Sequence, residues 1–458
     1  MAIATITPAT GVTEREFDAH TEAEIDARIG QAHEAYRAMK STTFAERAGW
    51  MRAAADLLEA ELDSAAAMLT VEMGKTIGQS RAEVLKCAKG MRFYADHAEE
   101  FLTGRSLDDP SAVNASAAHT RYDPIGVVLA VMPWNYPLWQ VIRFAAPALM
   151  AGNAGLLKHA SNVPQAALYL DALFERGGFP AGAFRSLLIP ASKVEGVLRD
   201  RRVVAATLTG SEPAGRSVAS IAGSEVKHVV LELGGSDPFV VMPSADLEKA
   251  VATAVSARTS NNGQACINAK RFIVHTDIYD DFLERFTAAM SALRVGDPMD
   301  ESTDVGPLAT SSGRDDIVEL VEDALGKGAV ATTGGAVPDG AGWYYPPTVL
   351  SGITEDMRLY AEEAFGPVAS VFRVESAEEA LRIANDTTFG LSSAMWTQDE
   401  QEEELFVRGL DAGAVFINGM SISYPELPFG GIKRSGYGRE LGRYGMLEFT
   451  NIKTVWVK

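Results

Sequence analysis

Between Tyr122 and Gly235 the chain alternates apolar strands with helices, and this constrains its fold more than any other feature. "IGVVLAVM" (125–132) reads as a buried strand and "PLWQVIRFAAPALMAG" (137–152) as a helix stopped by glycine. The strand "AGLLKHA" (154–160), the helix "QAALYLDALFERGG" (165–178) and the strand "FRSLLI" (184–189) follow. After a short helix come "VVAATLTG" (203–210), the helix "PAGRSVASIAG" (213–223) and "KHVVLELGG" (227–235). Strands apolar on both faces, separated by helices, predict a parallel sheet covered on both sides. Such sheets bind ligands at the carboxyl ends of their strands.

A second alternating region starts near Asp237, with strands "DPFVVM" and "KRFIVH" and the amphipathic helix "IYDDFLERFTAAMSAL". "SAEEALRIAND", "GLSSAMW", "EQEEELFVRGL" and "AGAVFING" continue it towards the C-terminus, which predicts a second α/β domain. Before the first sheet, residues 22–103 read as helices. In 81–101 Val84, Ala88, Met91 and Ala95 recur at helical spacing, and Cys87 lies among them as a small packing residue. The final "NIKTVWVK" alternates like an edge strand with no evident partner in the chain, so it is expected to pair with another subunit.

Charge narrows the function classes. The formal net charge is −20, from 61 acids against 41 bases, which disfavours nucleic acid and anionic membranes as partners. Apolar stretches are broken by Pro133, Asn135 and Pro137, then by Arg143 and Asn153, short of the roughly 20 residues a spanning helix needs. The start "MAIATITPATG" has no signal-peptide pattern. With only 2 cysteines there is no disulfide framework, so a reducing cytoplasm is the expected compartment.

No nucleophile elbow, phosphate loop, C-x-x-C or strict G-x-G-x-x-G occurs, and the 7 histidines show no metal-ligand spacing, so no metal site is expected. Six short motifs remain, each with two readings. Cys266 in "NNGQAC" is either a nucleophile or a core thiol. Glu232, ending an apolar strand in "LELGG", is either a general base for water or a carboxylate fixing the glycine turn. Asn135 in "PWNYP" is an oxyanion donor or a turn residue. Lys158 and Ser161 in "LLKHAS" meet a phosphate or ribose, or water. Gly210 and Gly215 in "TGSEPAG" admit a phosphate to a helix N-terminus or merely cap it. Glu362 and Glu363 in "EEAFGPV" are usually just a solvated face.

Taken together, "PWNYP", "LELGG", "GQAC", "EEAFGPV" and "PFGGIKRSG" resemble the aldehyde dehydrogenase superfamily in order and spacing, over essentially the whole chain. "KHASNVPQ" and "LTGSEPAG" resemble its short bacterial members that act on succinic semialdehyde. The resemblance implies a parallel-sheet, Rossmann-like cofactor domain (1–111 and 127–233) and a second α/β catalytic domain (234–432). It adds a small β oligomerisation element (112–126 and 433–458) and a homodimer or homotetramer. It implies catalysis by Cys266, Glu232 and Asn135, through a thiohemiacetal and a thioester. It implies cofactor contacts at Trp134, Lys158, Ser161, Gly210, Ser211, Leu233, Glu363 and Phe365, and substrate-carboxylate contacts at Arg143 and Ser423.

Ser161 stands where NAD-preferring relatives often carry glutamate, so the expected cofactor is NADP, with NAD used weakly. Two departures matter. Asn268 stands where some relatives carry a second, redox-locking cysteine, and Asn261 where some carry a carboxylate-binding arginine. The alternatives are a broader aldehyde dehydrogenase, a CoA-acylating relative, a cofactor-independent thiol hydrolase and a non-enzymatic protein reusing the fold. The CoA-acylating relatives usually lack the glutamate present here at 232, the hydrolase leaves Lys158, Ser211 and Glu363 without a purpose, and a non-enzymatic protein would leave Cys266 and Glu232 free to drift, yet both are intact.

Overall fold

The computed structural model describes residues 2–458. Thr21 and Thr43 open the helical region: each side chain accepts a bond from the backbone of a glutamate three residues on, and that glutamate caps in return. They start helices Glu22–Met39 and Phe44–Ala60, followed by Leu62–Met73 and Ile77–Phe101. In the last helix Val84, Cys87, Ala88, Met91 and Ala95 form the buried stripe that their spacing predicts.

The first alternating region builds a six-stranded sheet. Its spatial order is Gly436–Tyr437, His228–Glu232, Val203–Thr209, Val127–Met132, Ala154–His159, Phe184–Ser186. All pairs are parallel except the one made by Gly436–Tyr437. Helix Trp139–Ala151 ends at Gly152, at φ 97, where glycine avoids the Cβ strain of a left-handed residue. That helix packs on Ile77–Phe101. A Cβ on Gly90 would stand 2.9 Å from the Trp139 ring, so glycine there sets how closely the two helices approach.

The second region forms a seven-stranded sheet in the order Val330–Thr333, Thr348–Ser351, Val368–Val374, Ala269–His275, Asp237–Val241, Ser393–Trp396, Val415–Ile417. Only the Val330–Thr333 edge runs antiparallel. The carboxyl ends of strands from the first sheet and the loop before Ala269–His275 converge on Cys266.

The C-terminal expectation needs correcting. Strand Thr450–Val457 has a partner within the chain, Ala117–Pro124, with Thr450 opposite Pro124 and Val457 opposite Ala117. The partner is remote in sequence and itself only half-apolar, which hid it. The other edge of Thr450–Val457 pairs with no described strand. The N-terminal hairpin Ile3–Thr7/Val12–Phe17 was not anticipated either, because only its first strand is buried.

Candidate active site

Cys266 is carried by a segment whose shape is dictated by buried amides. After helix Leu247–Thr259 the chain makes one turn, Ser260–Gly263, with Asn261 at φ 57, Asn262 at φ 56 and Gly263 at φ 76. Asparagine is among the few side chains that enter this left-handed region readily. Both are held by their amides. Asn262 Nδ2 donates to Gly74 O (2.8 Å) and Pro307 O (2.9 Å), and its Oδ1 accepts from Gly306 N. Asn261 Nδ2 donates to Asn135 O (2.8 Å) and Gln264 O (3.1 Å). At Gly263 a Cβ would fall 2.4 Å from Gly366 C, so no other residue fits.

The neighbours finish the brace. Gln264 Oε1 accepts from Ala309 N, and Asn268 accepts from Ala265 N while donating to Ala257 O. The Arg258 guanidinium donates to Ala269 O and Gly263 O. The polar run around the cysteine is therefore the internal scaffold that fixes the thiol. Asn261 and Asn268, at the two departure positions, are occupied in that scaffold.

Two cavities meet at Cys266. One, of about 280 Å³, is lined by Trp134, Asn135, Gly210, Ser211, Leu233, Glu363 and Phe365 among others. The other, of about 200 Å³, is lined by Lys86, Tyr136, Trp139, Arg143, Ser423 and Phe429 among others. Cys266 and Gln140 line both. Three parallel strands deliver the first set from their carboxyl ends: Val127–Met132 before Trp134 and Asn135, Val203–Thr209 before Gly210 and Ser211, and His228–Glu232 before Leu233. The Trp134 and Phe365 rings meet edge to face at 5.8 Å. Lys158 and Ser161 are not in this lining. Lys158 is the penultimate residue of its strand, level with Val131, and Ser161 O accepts from Ala4 N at 3.0 Å, so the N-terminal hairpin braces that loop.

The two glutamates of "EEAFGPV" separate. Glu362 pairs with Arg358 at the surface (2.7 Å), whereas Glu363 turns inward to Lys270 Nζ (3.1 Å). A Cβ on Gly234 would strike Glu363 Oε2 at 2.3 Å, and one on Gly215 would strike Leu233 at 2.7 Å. Glycine at these positions keeps the cavity wall open. Ser211 begins helix Glu212–Ser224 without a side-chain cap bond. Lys158 is largely buried, and burial alone lowers its pKa; no carboxylate answers its charge. Open glycines, a free helix N-terminus and an unanswered buried cation fit a dinucleotide's phosphates and ribose. Among the described residues no group of three or more His, Cys, Asp or Glu could hold a metal.

Burial also sets the chemistry of the reactive groups. It pushes the Cys266 thiol up to about 12, against the opposing charges of Arg143 and Lys270. Glu232 is buried and both its carboxylate oxygens lack a hydrogen-bond partner. Burial first, then neighbouring Glu440, raises its pKa well above the usual carboxylate range. Glu232 is not among the residues lining either cavity; a Cβ on Gly430 would fall 2.7 Å from Glu232 Oε1.

Arg143 differs from expectation. It lines the second cavity, but its Nε forms a buried ion pair with Glu440, its Nη2 donates to Thr209 Oγ1 (3.3 Å), and its guanidinium lies over Phe429. Its charge is already answered within the protein. Ser423 Oγ accepts from Trp139 Nε1 (2.9 Å) and from Lys86 Nζ (2.8 Å). Sequence reasoning missed Lys86, Gln140, Lys270 and Glu440. Lys86 and Lys270 looked like ordinary lysines on a helix and a strand. The "RELGRYG" around Glu440 signals nothing until the fold brings it to Arg143.

The aldehyde dehydrogenase family profile matches residues 1–455. The succinate-semialdehyde dehydrogenase (NADP+) 1 of Mycobacterium tuberculosis (strain ATCC 25618 / H37Rv) is 63% identical over 457 residues, covering 100% of each chain. A protein of that type from Mycobacterium avium (strain 104) is 62% identical, covering 100% of this chain and 97% of its own. The crystal structure of succinic semialdehyde dehydrogenase from Streptococcus pyogenes, in complex with NADP+ as the cofactor, superposes with a TM-score of 0.96 at 36% identity, covering 99% of both chains.

Proposed function

The chain belongs to the aldehyde dehydrogenase family, and from that premise we propose that it oxidises succinic semialdehyde to succinate with NADP as hydride acceptor. One observation carries the reading: Cys266 stands in the wall between a cavity fit for a dinucleotide and a second cavity lined by cationic side chains. The names of the similar mycobacterial and streptococcal proteins support both the substrate and the cofactor.

The Cys266 thiol gives up its proton to solvent water, the thiolate sulfur attacks the aldehyde carbon, and the carbonyl oxygen takes up negative charge. Asn135 Nδ2 has two hydrogens; one is held by Gln264 O, which orients the other for the oxyanion. The Cys266 backbone N–H is the second donor. NADP+, when bound, would supply the hydride acceptor, and loss of hydride from the adduct would leave a thioester on Cys266. Glu232 then takes a proton from water, and the resulting attack releases the acid. With no hydrogen bond to break, its carboxylate is free to turn towards the thioester.

Trp134, Gly210, Ser211, Leu233, Glu363 and Phe365 hold the nicotinamide half of the cofactor, and Lys158 and Ser161 the adenosine half. Serine at 161 presents no like charge to a 2′-phosphate, so NADP is preferred and NAD is used weakly. Residues 1–111 and 127–233 serve the cofactor, 234–432 the nucleophile, and 112–126 with 433–458 association into a homodimer or homotetramer in a reducing cytoplasm. No helix among the described residues is long and apolar enough to cross a membrane.

Initial rates of nicotinamide reduction, measured with carboxylated and neutral aldehydes and each cofactor, test the proposal. The highest efficiency is expected with succinic semialdehyde and NADP. Ester hydrolysis that needs no nicotinamide, with no aldehyde oxidation, would make the protein a thiol hydrolase instead.

A further inference from the structure

Helix Pro164–Arg176 opens without a side-chain cap of its own. Pro164 has no N–H to satisfy, but the two amides after it need acceptors. A carboxylate from another helix meets them. Glu72, the penultimate residue of helix Leu62–Met73, accepts from Gln165 N at Oε1 (2.9 Å) and from Ala166 N at Oε2 (3.0 Å). The partial positive charge of a helix N-terminus favours a carboxylate there.

The N-terminal strand closes this arrangement. Thr5 Oγ1 donates to Glu72 Oε1 (2.6 Å) and accepts from Gln165 Nε2 (3.1 Å), so Thr5, Glu72 and Gln165 form a ring of hydrogen bonds. Thr5 and Glu72 are both fully buried. One residue before Thr5, Ala4 N donates to Ser161 O (3.0 Å). The loop 160–163 is therefore held on both sides: by Ala4 at Ser161, and by Glu72 where the helix begins. The anchor is itself fixed. Gly74, which ends helix Leu62–Met73, gives its carbonyl oxygen to Asn262 Nδ2 in the loop that carries Cys266. The second hairpin strand, Val12–Phe17, is exposed, so the hairpin is seated by its first strand, the one that reaches Ser161 and Glu72.

Resting on the reading that Lys158 and Ser161 hold the adenosine half of NADP, we propose that Glu72 and Thr5 are positioning residues for the cofactor: they clamp the loop 160–163 so that Ser161 stands ready for the phosphorylated ribose. Neither lines the cavities at Cys266. A loop that is already ordered loses little freedom when its ligand arrives, and a loosened one gives up affinity to be ordered. The N-terminal hairpin thereby gains a use that its position far from the thiol conceals.

The test separates cofactor affinity from chemistry. Adenosine 2′,5′-bisphosphate probes the adenosine half alone by calorimetry, and steady-state kinetics give KM for NADP and kcat. Glu72→Gln keeps the size of the side chain but leaves one of the two backbone amides facing an NH2 group. It should raise KM for NADP and Kd for the bisphosphate together, roughly 2- to 30-fold, the range for a residue that acts on a ligand without touching it. The value of kcat at saturating NADP and KM for succinic semialdehyde should stay near those of the wild type. Thr5→Val should act in the same direction, and Thr5→Ser, which keeps the hydroxyl, should match the wild type. A wild type that binds the bisphosphate, together with a Glu72→Gln variant that binds it equally well, overturns the clamp and leaves the cofactor reading standing. A wild type that does not bind it overturns the cofactor reading, and this one with it. A loss in kcat with KM for NADP unmoved would make Glu72 a support of the Cys266 loop and overturn the proposal, as would equal effects of Thr5→Ser and Thr5→Val. If Glu72→Gln does not fold, Thr5→Val decides: an unchanged KM for NADP overturns the clamp.

Discussion

Cys266 is held by a loop that makes it accessible and by a setting that resists its ionisation. Its pKa near 12 means that the thiolate is scarce at neutral pH in the free enzyme. Iodoacetamide labelling followed by peptide mass should therefore report a rate at Cys266 that climbs about tenfold per pH unit through the neutral range. A rate already level near neutrality would mean a preformed thiolate and refute this electrostatic account. Fully buried Cys87 should stay unlabelled throughout. Arg143 gives a second residue-scale prediction. Arg143→Met strands Glu440 without its partner, and breaking a buried pair in this way costs about 3–5 kcal/mol. Lower thermal stability and a loss on both succinic semialdehyde and butanal are expected. A loss confined to the carboxylated aldehyde would return Arg143 to direct substrate contact. At this scale the sequence was uneven. Cys266, Asn135, Glu363 and Phe365 were legible because each sits in a compact motif at a strand end or loop. Lys86 and Glu440 were not, because what makes them special is a partner brought close only by folding.

Strands and helices were legible where burial imposes a pattern. The strands from Val127 to Glu232 are apolar almost throughout because helices cover both faces, and their residues leave little else to form. The hairpin strand Val12–Phe17 and the edge strand Val330–Thr333 are short and largely exposed, so neither carries such a pattern. On the proposed reading, the loop after strand Ala154–His159 sets cofactor choice. A carboxylate at 161 would face the 2′-phosphate in a partly desolvated site, beside a lysine no acid now answers. Ser161→Glu should lower kcat/KM with NADP by one to two orders of magnitude, about 1.4–3 kcal/mol, and keep or raise it with NAD. An unchanged cofactor ratio in steady-state kinetics would remove Ser161 from this role.

At the scale of the molecule, two sheets from consecutive stretches of chain meet at one thiol, and a two-stranded arm closes the C-terminus. The outer edge of Thr450–Val457 pairs with no described strand, and the strand bears exposed Ile452 and Trp456. An open strand edge of this kind is a template for pairing with another chain. Sedimentation should find the wild type as a dimer or tetramer, and Ile452→Glu as a smaller species. A monomeric wild type would contradict that use of the arm. In the proposed mechanism a covalent acyl group passes from Cys266 to water, and Glu232 takes the proton of that water. Glu232→Gln keeps the shape of the side chain and removes the base. Mixed with NADP and succinic semialdehyde, this variant should release about one reduced cofactor per site in a burst, which follows if the cycle halts at the thioester. Mass spectrometry of the quenched protein should then find a succinyl group on the peptide containing Cys266. Undiminished steady turnover, or an intact thiol at Cys266 after the burst, would contradict it.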